Sequence, residues 1–350
     1  MHRVKKLLRI LEEEKLDAFI SFSPATSLYF HRFEGQGVLV KRDGEATLFV
    51  PKLDLFAAEE KAKACEIVAV TQRRASWKFL LDYASKFRRI GVERRALPLE
   101  FYFRLRRRTE VIALDKRLAE LRAVKDDDEL RALEKAAQIA VEGMRVALES
   151  VKPGVSEVEI AGEAERAMRR EGAEAYAFDT IVASGPNAAY PHGKPGTRRI
   201  QRGDAVVIDL GAKWNGYCSD MTRTVIVGSG SKWEKILKAV QAAMEESIRR
   251  AVVGASCREL YFQSQKILAK HRVAKHFIHG LGHGVGIEVH ESPLLNAYSR
   301  EKLAERMVIT IEPGVYLRGK GGVRIEDMIV VTEKGVKVLT QYPRVLIGAV

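Results

Sequence analysis

The sequence is poor in cysteine and has no long apolar run. Its three cysteines, Cys65, Cys218 and Cys257, are scattered and odd in number, so they cannot form the disulfide framework of a small secreted domain. No run approaches the roughly 18 apolar residues of a membrane-spanning helix. Acidic residues at 12–14 interrupt any apolar signal segment near the start. These absences predict a cytoplasmic protein in a reducing environment.

Asparagine is also scarce, and the charge of the chain is unbalanced. There are three asparagines in 350 residues, 30% charged residues and a formal net charge of +13. Few labile amides together with abundant charge predict a thermophilic protein. The arginine-rich stretch 88–108 could attract nucleic acid, but no interleaved aromatic residues or zinc-finger spacing accompany it. We therefore expect a solvated surface or a dimer face there, and neither nucleic acid nor a membrane as a partner.

Strand-like and helix-like stretches alternate through the first third of the chain. Apolar periodicity predicts a helix over 3–15 and a strand over 17–22. Further strand-like runs lie at 37–41, 46–50, 66–70, 90–92 and 111–114, with helix-like stretches at 53–63 and 76–87. This alternation predicts an α/β N-terminal domain over 1–120 and a second domain over 121–350.

Helix start signals recur in the second domain. The charged segment 122–129 supplies an aspartate cap for the helix that follows it. Ser156 with Glu159, and Ser256 with Glu259, have the spacing of a capping box and predict two further helices. In each half of this domain the helices precede strand-like runs, which suggests two similar halves.

Four carboxylates lie in or at the ends of β-branched runs of this second domain, and these runs predict that all four are embedded in strands: Asp209, Asp220, Glu312 and Glu326. Burying an unpaired charge in such a run costs several kcal/mol, so bare carboxylates are rare there. Between the two pairs, the glycine-rich segment 279–291 carries three histidines. Each acid alone is typical of a turn, and each histidine alone of a structural group. Together they predict a site where divalent cations supply the compensating positive charge.

The order of these pieces resembles the pita-bread metallopeptidases. Two aspartates eleven residues apart are followed by HGLGHGVG with a His-Glu pair, then by TIEPG, then by GVRIED. The family contains methionine aminopeptidases, aminopeptidases P and Xaa-Pro dipeptidases (prolidases), and the resemblance covers nearly the whole chain. It implies an α+β pita-bread (creatinase/aminopeptidase-like) catalytic domain after the α/β N-terminal domain, and a homodimer.

The resemblance also implies two divalent metal ions per subunit. The implied ligands are Asp209, Asp220, His283, Glu312 and Glu326, of which Asp220 and Glu326 bridge both ions. Mostly oxygen donors of this kind suit Mn or Co, with Zn as a further option. Two ions roughly 3.5 Å apart can share a water molecule and lower its pKa enough to form hydroxide. Glu312 is expected to take up the proton and deliver it to the leaving proline nitrogen.

Four further residues receive roles from the resemblance. His290 is expected to stabilise the tetrahedral intermediate. His192 is expected to contact the substrate, although a loop histidine in a Pro-Gly turn can also be purely structural. His279 is expected to line the proline pocket, and Arg324 to bond near Glu326.

One departure concerns substrate specificity. Leu294 follows the His-Glu-x-Pro element, where comparable prolidases tend to carry an arginine that can hold the carboxylate of a dipeptide. We expect an Xaa-Pro dipeptidase, with aminopeptidase P, which acts on longer Xaa-Pro peptides, as the alternative. Lys194 is a candidate replacement for the arginine, or else a solvated loop lysine. A remote alternative is a non-catalytic, nucleic-acid-binding module of this fold, but all five implied ligands are present.

Cys218 precedes the implied metal ligand Asp220 by two residues. This spacing predicts that both side chains lie on one face of a strand. Cys218 is then either a small residue filling the strand or a thiol whose oxidation would disturb Asp220.

Overall fold

The structure is a computed structural model that describes residues 2–70, 73–228 and 232–349. The chain divides into two compact units, Met1–Leu121 and Arg122–Val350, and each is described by itself. None of the helices within the described residues is long and apolar enough to cross a membrane.

The first unit is built on one mixed sheet of six strands in the order β4-β3-β2-β1-β5-β6. Strand β1 lies at the centre, where it pairs antiparallel with β2 and parallel with β5. Strands β2 to β4 extend the sheet on one side of β1, and β5 and β6 extend it on the other. Its elements are α1 (His2–Glu13), β1 (Ala18–Ser21), α2 (Pro24–His31), β2 (Gly37–Lys41), β3 (Ala46–Pro51), a 3₁₀ turn (Lys52–Asp54), α3 (Leu55–Lys61), β4 (Glu66–Val70), α4 (Arg73–Ala84), β5 (Arg89–Val92), a 3₁₀ turn (Arg94–Ala96), α5 (Leu99–Leu105), β6 (Glu110–Ala113) and α6 (Asp115–Ala123).

The helix and strand sequences of this unit explain their burial. Helix α1 buries Val4, Leu7 and Leu11, which recur at helical spacing on one face. Strands β1 and β2 are buried almost throughout, as expected of central strands covered on both faces. The α/β alternation that the sequence predicts for this part of the chain is present.

The second unit contains two helix pairs and several short sheets. Its helices are α7 (Asp127–Ser150), α8 (Glu157–Arg170), α9 (Trp233–Arg250) and α10 (Cys257–Lys270), with 3₁₀ turns at Gly185–Ala189 and Ala274–His276. Its strands are β7 (Ala175–Tyr176), β8 (Ile181–Ser184), β9 (Ala205–Leu210), β10 (Ala212–Trp214), β11 (Tyr217–Cys218), β12 (Met221–Val227), β13 (Gly282–Gly284), β14 (Glu291–Leu295), β15 (Val308–Ile311), β16 (Gly314–Leu317), β17 (Gly321–Arg324), β18 (Asp327–Thr332), β19 (Gly335–Val338) and β20 (Leu346–Ala349).

The helix caps follow the sequence signals. Asp126 caps α7 through a complete capping box with Glu129, and Ser156 caps α8 in the same way with Glu159. At α10, the Ser256 side chain accepts a hydrogen bond from the backbone of the third helical residue, which is one half of such a box. These caps fix where each helix begins relative to the strands that follow it.

Each helix pair covers its own sheet. Helices α7 and α8 share an apolar core with the sheet β20-β12-β9-β8. Helices α9 and α10 share another core with the sheet β14-β13-β15-β18-β19. Two helix-plus-sheet halves therefore make up this unit, and the carboxylates predicted to bind metal come from both.

Candidate metal centre and substrate cavity

The four acids occupy strand ends more than strand interiors. Asp209 lies within β9, but Asp220 comes directly before β12 and Glu312 directly after β15. Glu326 lies between β17 and β18. The expectation that the four acids are embedded in strands is therefore wrong for Asp220, Glu312 and Glu326, because the backbone leaves the regular ladder at these points.

Thr222 connects two of these acids across the halves. It lies opposite Asp209 in the antiparallel β9–β12 pair. Its hydroxyl donates to Glu326 Oε2 at 2.7 Å, and its carbonyl accepts from the Glu326 backbone at 3.0 Å. Arg324 Nε donates to the same hydroxyl at 3.0 Å. Strand pairing in one half thus sets the position of a carboxylate from the other.

His283 lies at the centre of the cluster. Asp220, His283 and Glu326 each offer one ligand atom, and these atoms lie within 4.8 Å of one another. His283 Nε2 is 3.6 Å from Asp220 Oδ2 and 3.3 Å from Glu312 Oε1. On its other side, His283 Nδ1 lies 3.1 Å from the carbonyl of Gly284. A proton on Nδ1 satisfies that carbonyl, so Nε2 can donate its own proton to Glu312 in the metal-free site or, once deprotonated, present its lone pair to a cation.

The electrostatics of the cluster show a lack of positive charge. Burial, reinforced by neighbouring carboxylates, raises the pKa of Asp220 and of Glu326 well above their usual values. Burial also raises the pKa of Asp209, although Arg324 opposes the effect. Burial alone would raise the pKa of Glu312. In the metal-free site, the hydrogen bond and charge of protonated His283, with smaller contributions from His279 and Arg324, together outweigh burial and hold that pKa at about 2.

The donor set fits divalent metal ions. Asp209 Oδ1 is buried and has no hydrogen-bond partner among the described residues. An orphaned carboxylate oxygen beside other buried acids is costly unless a cation approaches it. The five residues predicted to be ligands are thus brought together, with atoms free to bind a cation.

Arg324 supports the cluster in a way the sequence did not indicate. Its guanidinium donates to Asp209 Oδ2 at 2.6 Å, to the Tyr316 hydroxyl at 2.7 Å and to the Pro191 carbonyl at 3.1 Å. The bond near Glu326 that was expected runs through Thr222 instead. Its role in substrate binding stays a prediction.

His279 belongs to the same network through Tyr316. Its Nε2 lies 3.0 Å from the Tyr316 hydroxyl, and its Nδ1 lies 2.7 Å from the Gly280 carbonyl. Because Nδ1–H donates to the carbonyl, Nε2 is left to accept from the tyrosine. Burial lowers the pKa of His279 and so favours this neutral form. Sequence reasoning missed Tyr316, whose strand contains no signal of a functional role.

A cavity of about 910 Å³ opens onto the cluster. Its walls include the predicted residues His192, Lys194, His279, His290 and Arg324, together with the five candidate ligands. Residues that the sequence did not single out also line it: Phe178, Asp179, Thr180, Ile181, Tyr190, Pro191, Ile278, Gly280, Gly282, Leu294 and Asn296. Their spread over 178–296 explains why no local motif revealed them.

Three predicted substrate residues differ in how firmly they are held. The ring centroids of His290 and His283 are 4.2 Å apart, so His290 lies beside the cluster. His192 is exposed at the cavity wall. Lys194 is 85% exposed, and its Nζ lies 3.8 Å from Asp179 Oδ2, which is itself 91% exposed. An ion pair so exposed leaves the lysine available to another anion.

Cys218 does not share a strand with Asp220. Strand β11 ends at Cys218 and β12 begins at Met221, so the alternation that would place Cys218 and Asp220 on one face does not apply. The Cys218 thiol donates instead to the Ile287 carbonyl at 3.3 Å. The geometric reason for linking its oxidation to Asp220 is therefore removed.

Three buried carboxylates, the partly buried Glu312 and an imidazole, placed by two helix-plus-sheet halves beside a cavity, are the arrangement of a metal-dependent hydrolase. Residues 131–333 match the model of metallopeptidase family M24, and residues 3–124 match the creatinase/prolidase N-terminal domain. The chain belongs to metallopeptidase family M24, and the predicted pita-bread fold and hydrolase class are confirmed.

Relatives and solved structures agree with this family. The Xaa-Pro dipeptidase of Pyrococcus furiosus is 37% identical over 351 residues, which cover 99% of each chain. The crystal structure of the prolidase from Pyrococcus horikoshii OT3 is similar with a TM-score of 0.92 at 36% identity, over 98% of this chain and 99% of that one. The crystal structure of the X-Pro aminopeptidase from Thermotoga maritima MSB8 is similar with a TM-score of 0.89 at 32% identity, over 98% of this chain and 99% of that one.

Proposed function

We propose that the protein is an Xaa-Pro dipeptidase that hydrolyses the bond before a C-terminal proline with two divalent metal ions, Mn or Co, with Zn as a third option. The observation that carries the proposal is the buried cluster of carboxylates and His283 at the base of the cavity. Full-length similarity to chains named Xaa-Pro dipeptidase supports the choice of substrate.

The ions would be held by Asp209, Asp220, His283, Glu312 and Glu326. Bound there, they would supply the positive charge that polarises the peptide carbonyl and lowers the pKa of a water molecule. The family resemblance implies that Asp220 and Glu326 would each serve both ions. Burial and neighbouring carboxylates raise the pKa of both residues well above the usual range when no cation is present. Such groups gain most from a nearby positive charge.

Glu312 is the proposed general base. Its carboxylate lines the cavity beside the other candidate ligands, and the positive charge of bound ions would keep it ionised and able to accept a proton. After accepting that proton from the attacking water, Glu312 passes it to the proline nitrogen as the bond breaks. This transfer matters because the tertiary amide nitrogen of proline leaves only once it is protonated.

Histidines on the cavity walls would bind and orient the substrate. His290 would donate a hydrogen bond to the oxygen that becomes negative during attack, a role supported by its position beside His283 at the cavity wall. His279, held in a neutral form by Gly280 and Tyr316, presents its ring to the proline side of the cavity. His192 contacts the substrate from the other half of the unit.

The carboxylate of the dipeptide needs a cation, and Leu294 supplies none. Lys194 lines the same cavity and is held only weakly by Asp179. We propose that Lys194 takes the place of the missing arginine. Its flexible position at an exposed wall would give a weaker anchor than a buried arginine.

Comparing rates on three matched substrates tests the proposal. The metal-loaded protein should hydrolyse Met-Pro faster than Met-Pro-Ala, because only the dipeptide places a carboxylate beside the scissile bond. The rate of hydrolysis of Met-Pro-amide should be lower than that of Met-Pro for the same reason. Faster cleavage of the tripeptide would assign the protein as an Xaa-Pro aminopeptidase instead.

A homodimer and a cytoplasmic location belong to the same proposal, since the family resemblance implies the first and the cysteine content favours the second. Light scattering after size-exclusion chromatography tests the dimer: a mass near twice the 39.2 kDa of one chain supports it, and a mass near one chain contradicts it.

A further inference from the structure

A buried ion cluster lies next to His290 but faces away from the cavity. Glu291 accepts hydrogen bonds from Arg122 Nη2 and, at 3.1 Å, from Lys125 Nζ. Lys125 Nζ also donates to the Arg122 carbonyl at 2.7 Å. The side chains of Lys125 and Glu291 are 0% and 6% exposed, and that of Arg122 is 10% exposed.

Each of these charges depends on the others. A buried ion is tolerated only when its partners supply both opposite charge and hydrogen bonds. Burial alone would raise the pKa of Glu291, but Lys125 and Arg122 hold it at about 2. The two cations lie 166 and 169 residues earlier in the chain than the carboxylate they bind. The cluster therefore ties the end of α6 and the short segment before α7 to the start of β14.

That turn carries His290. Glu291 is the first residue of β14, and His290 directly precedes it. Successive side chains of an extended chain point in opposite directions. Accordingly, His290 lines the cavity while Glu291 reaches into the ion cluster. Any movement of the Glu291 backbone is transmitted directly to the imidazole.

The rest of the turn is packed around the Glu291 carboxylate. A Cβ added at Gly286 would lie 2.4 Å from Glu291 Oε2, so only glycine leaves room for this carboxylate. The backbone of Glu288 donates to Glu291 Oε1 at 3.1 Å. Cys218 holds the same turn, since its backbone N–H donates to the Gly286 carbonyl at 2.8 Å.

We propose that Arg122, Lys125, Glu291 and Gly286 form a positioning device that fixes the His290 imidazole against the reacting carbonyl. The proposal rests on the role of His290 in the proposed function. These four residues do not contact the substrate; they act through His290. A hydrogen-bond donor contributes to catalysis only when it is already aimed at the developing charge, and a misplacement of about 1 Å can cost roughly 100-fold in rate.

A double-mutant cycle on Met-Pro hydrolysis tests the coupling. Glu291→Gln removes the charge and keeps the shape, and it should lower kcat about 10–100-fold with metal content unchanged. Made in a His290→Ala background, the same substitution should change kcat less than about twofold, because the residue it positions is gone. Glu288→Gln is the matched control, since this carboxylate also accepts from Arg122 but is 59% exposed. It should leave kcat within about twofold.

A second variant covers the case in which Glu291→Gln fails to fold. Gly286→Ala changes no charge but displaces the Glu291 carboxylate, and it should reproduce the same loss of kcat and the same dependence on His290. Full additivity with His290→Ala, or loss of metal in either variant, would overturn the proposal.

A measurement without substrate separates this inference from the proposed function. In the zinc-loaded protein, the His290 ring resonance, assigned by its loss in His290→Ala, should shift in Glu291→Gln and Gly286→Ala but not in Glu288→Gln. An unchanged resonance contradicts the positioning device. A wild-type protein inactive on Met-Pro contradicts the proposed function and leaves the resonance test intact.

Discussion

At the residue scale, the site is governed by the cost of burying like charges. Asp209, Asp220 and Glu326 have their pKa values raised by burial, while Glu312 alone is stabilised as an anion by His283. Environment thus distinguishes Glu312, which is the candidate general base as well as a candidate ligand, from three carboxylates whose buried charge needs a cation. The division of roles follows from position, since all four side chains have the same chemistry.

His290→Ala separates catalysis from metal binding. We expect metal content to stay at the wild-type level while kcat on Met-Pro falls roughly 10²–10³-fold, the usual effect of removing one oxyanion donor. Metal analysis and steady-state kinetics measure the two quantities. The exposed His271 is the matched control, and His271→Ala should change neither. A normal kcat in His290→Ala would reduce His290 to a structural residue.

Lys194→Met tests the carboxylate anchor. The methionine keeps the length of the side chain and removes its charge, so KM for Met-Pro should rise. Charge-assisted hydrogen bonds to carboxylates are worth about 1.5–3 kcal/mol, but exposure of Lys194 reduces this to an expected three- to tenfold effect. KM for Met-Pro-amide should not change. Lys116→Met is the control variant and should leave KM for both substrates unchanged. Equal effects of Lys194→Met on both substrates would contradict the role.

The sequence could predict the candidate ligands because their chemistry is unusual for their surroundings. It could not predict the partners of Arg324, because Asp209 and Tyr316 reach it only after strands from both halves pair. The contacts of Glu291 with Arg122 and Lys125 could not be predicted from the sequence either. They join segments more than 160 residues apart and leave no pattern in local spacing.

At the element scale, one buried arginine joins the strands that carry the ligands. Arg223 on β12 is 0% exposed and donates to Asp327 Oδ1 on β18 at 2.7 Å. It also donates to backbone carbonyls, including that of Tyr342 at 3.0 Å. Because Asp220 precedes β12 and Glu326 precedes β18, this arginine holds two candidate ligands in register.

Arg223→Met should therefore destabilise the fold strongly. Removing Arg223 leaves Asp327 with Arg344 as its remaining cationic partner and leaves several buried carbonyls without their donor. Breaking a buried pair of this kind costs roughly 3–5 kcal/mol. Urea denaturation of the metal-free protein measures the loss. Arg249→Met, at an exposed pair with Glu246 on α9, is the control and should leave the midpoint unchanged. An unchanged midpoint in Arg223→Met would show that the buried pair does not join the strands.

Elements with a clear hydrophobic periodicity or a helix-capping residue could be predicted from the sequence, and elements without these signals could not. Helix α7 and its Asp126 cap follow directly from sequence signals. Helix α2 was not predicted, because it is buried on nearly all sides and so lacks the one-sided apolar stripe of a surface helix. The start of β18 was also missed, since the β-branched run 323–331 continues through the break between β17 and β18.

At the scale of the whole molecule, folding of the second unit assembles charges that repel one another. Raised pKa values at Asp220 and Glu326 mean that, without metal, the unfolded chain loses these protons at a lower pH than the folded chain does. The stability of the metal-free protein should therefore fall as pH rises above about 4, the ordinary carboxyl value. Metal binding, which needs deprotonated ligands, should reverse this loss.

The gain in Tm on adding metal should accordingly grow between about pH 5 and pH 7.5. Differential scanning calorimetry of metal-free and metal-loaded samples measures it. Asp220→Asn, which cannot ionise, should flatten the pH dependence of the metal-free protein. A metal-induced gain that stays constant or shrinks as pH rises would contradict the assignment of these carboxylates.

Activity measured against the number of metal ions added tests the central claim most directly. After chelation, Met-Pro hydrolysis should be absent and should return as Mn or Co is added, reaching its plateau at two ions per chain. Asp220→Ala, which lacks a ligand assigned to both ions, should bind fewer than two and stay inactive, whereas His283→Ala should chiefly weaken one ion. Hydrolysis that persists without metal, or two bound ions with no cleavage of any Xaa-Pro substrate, would contradict the account.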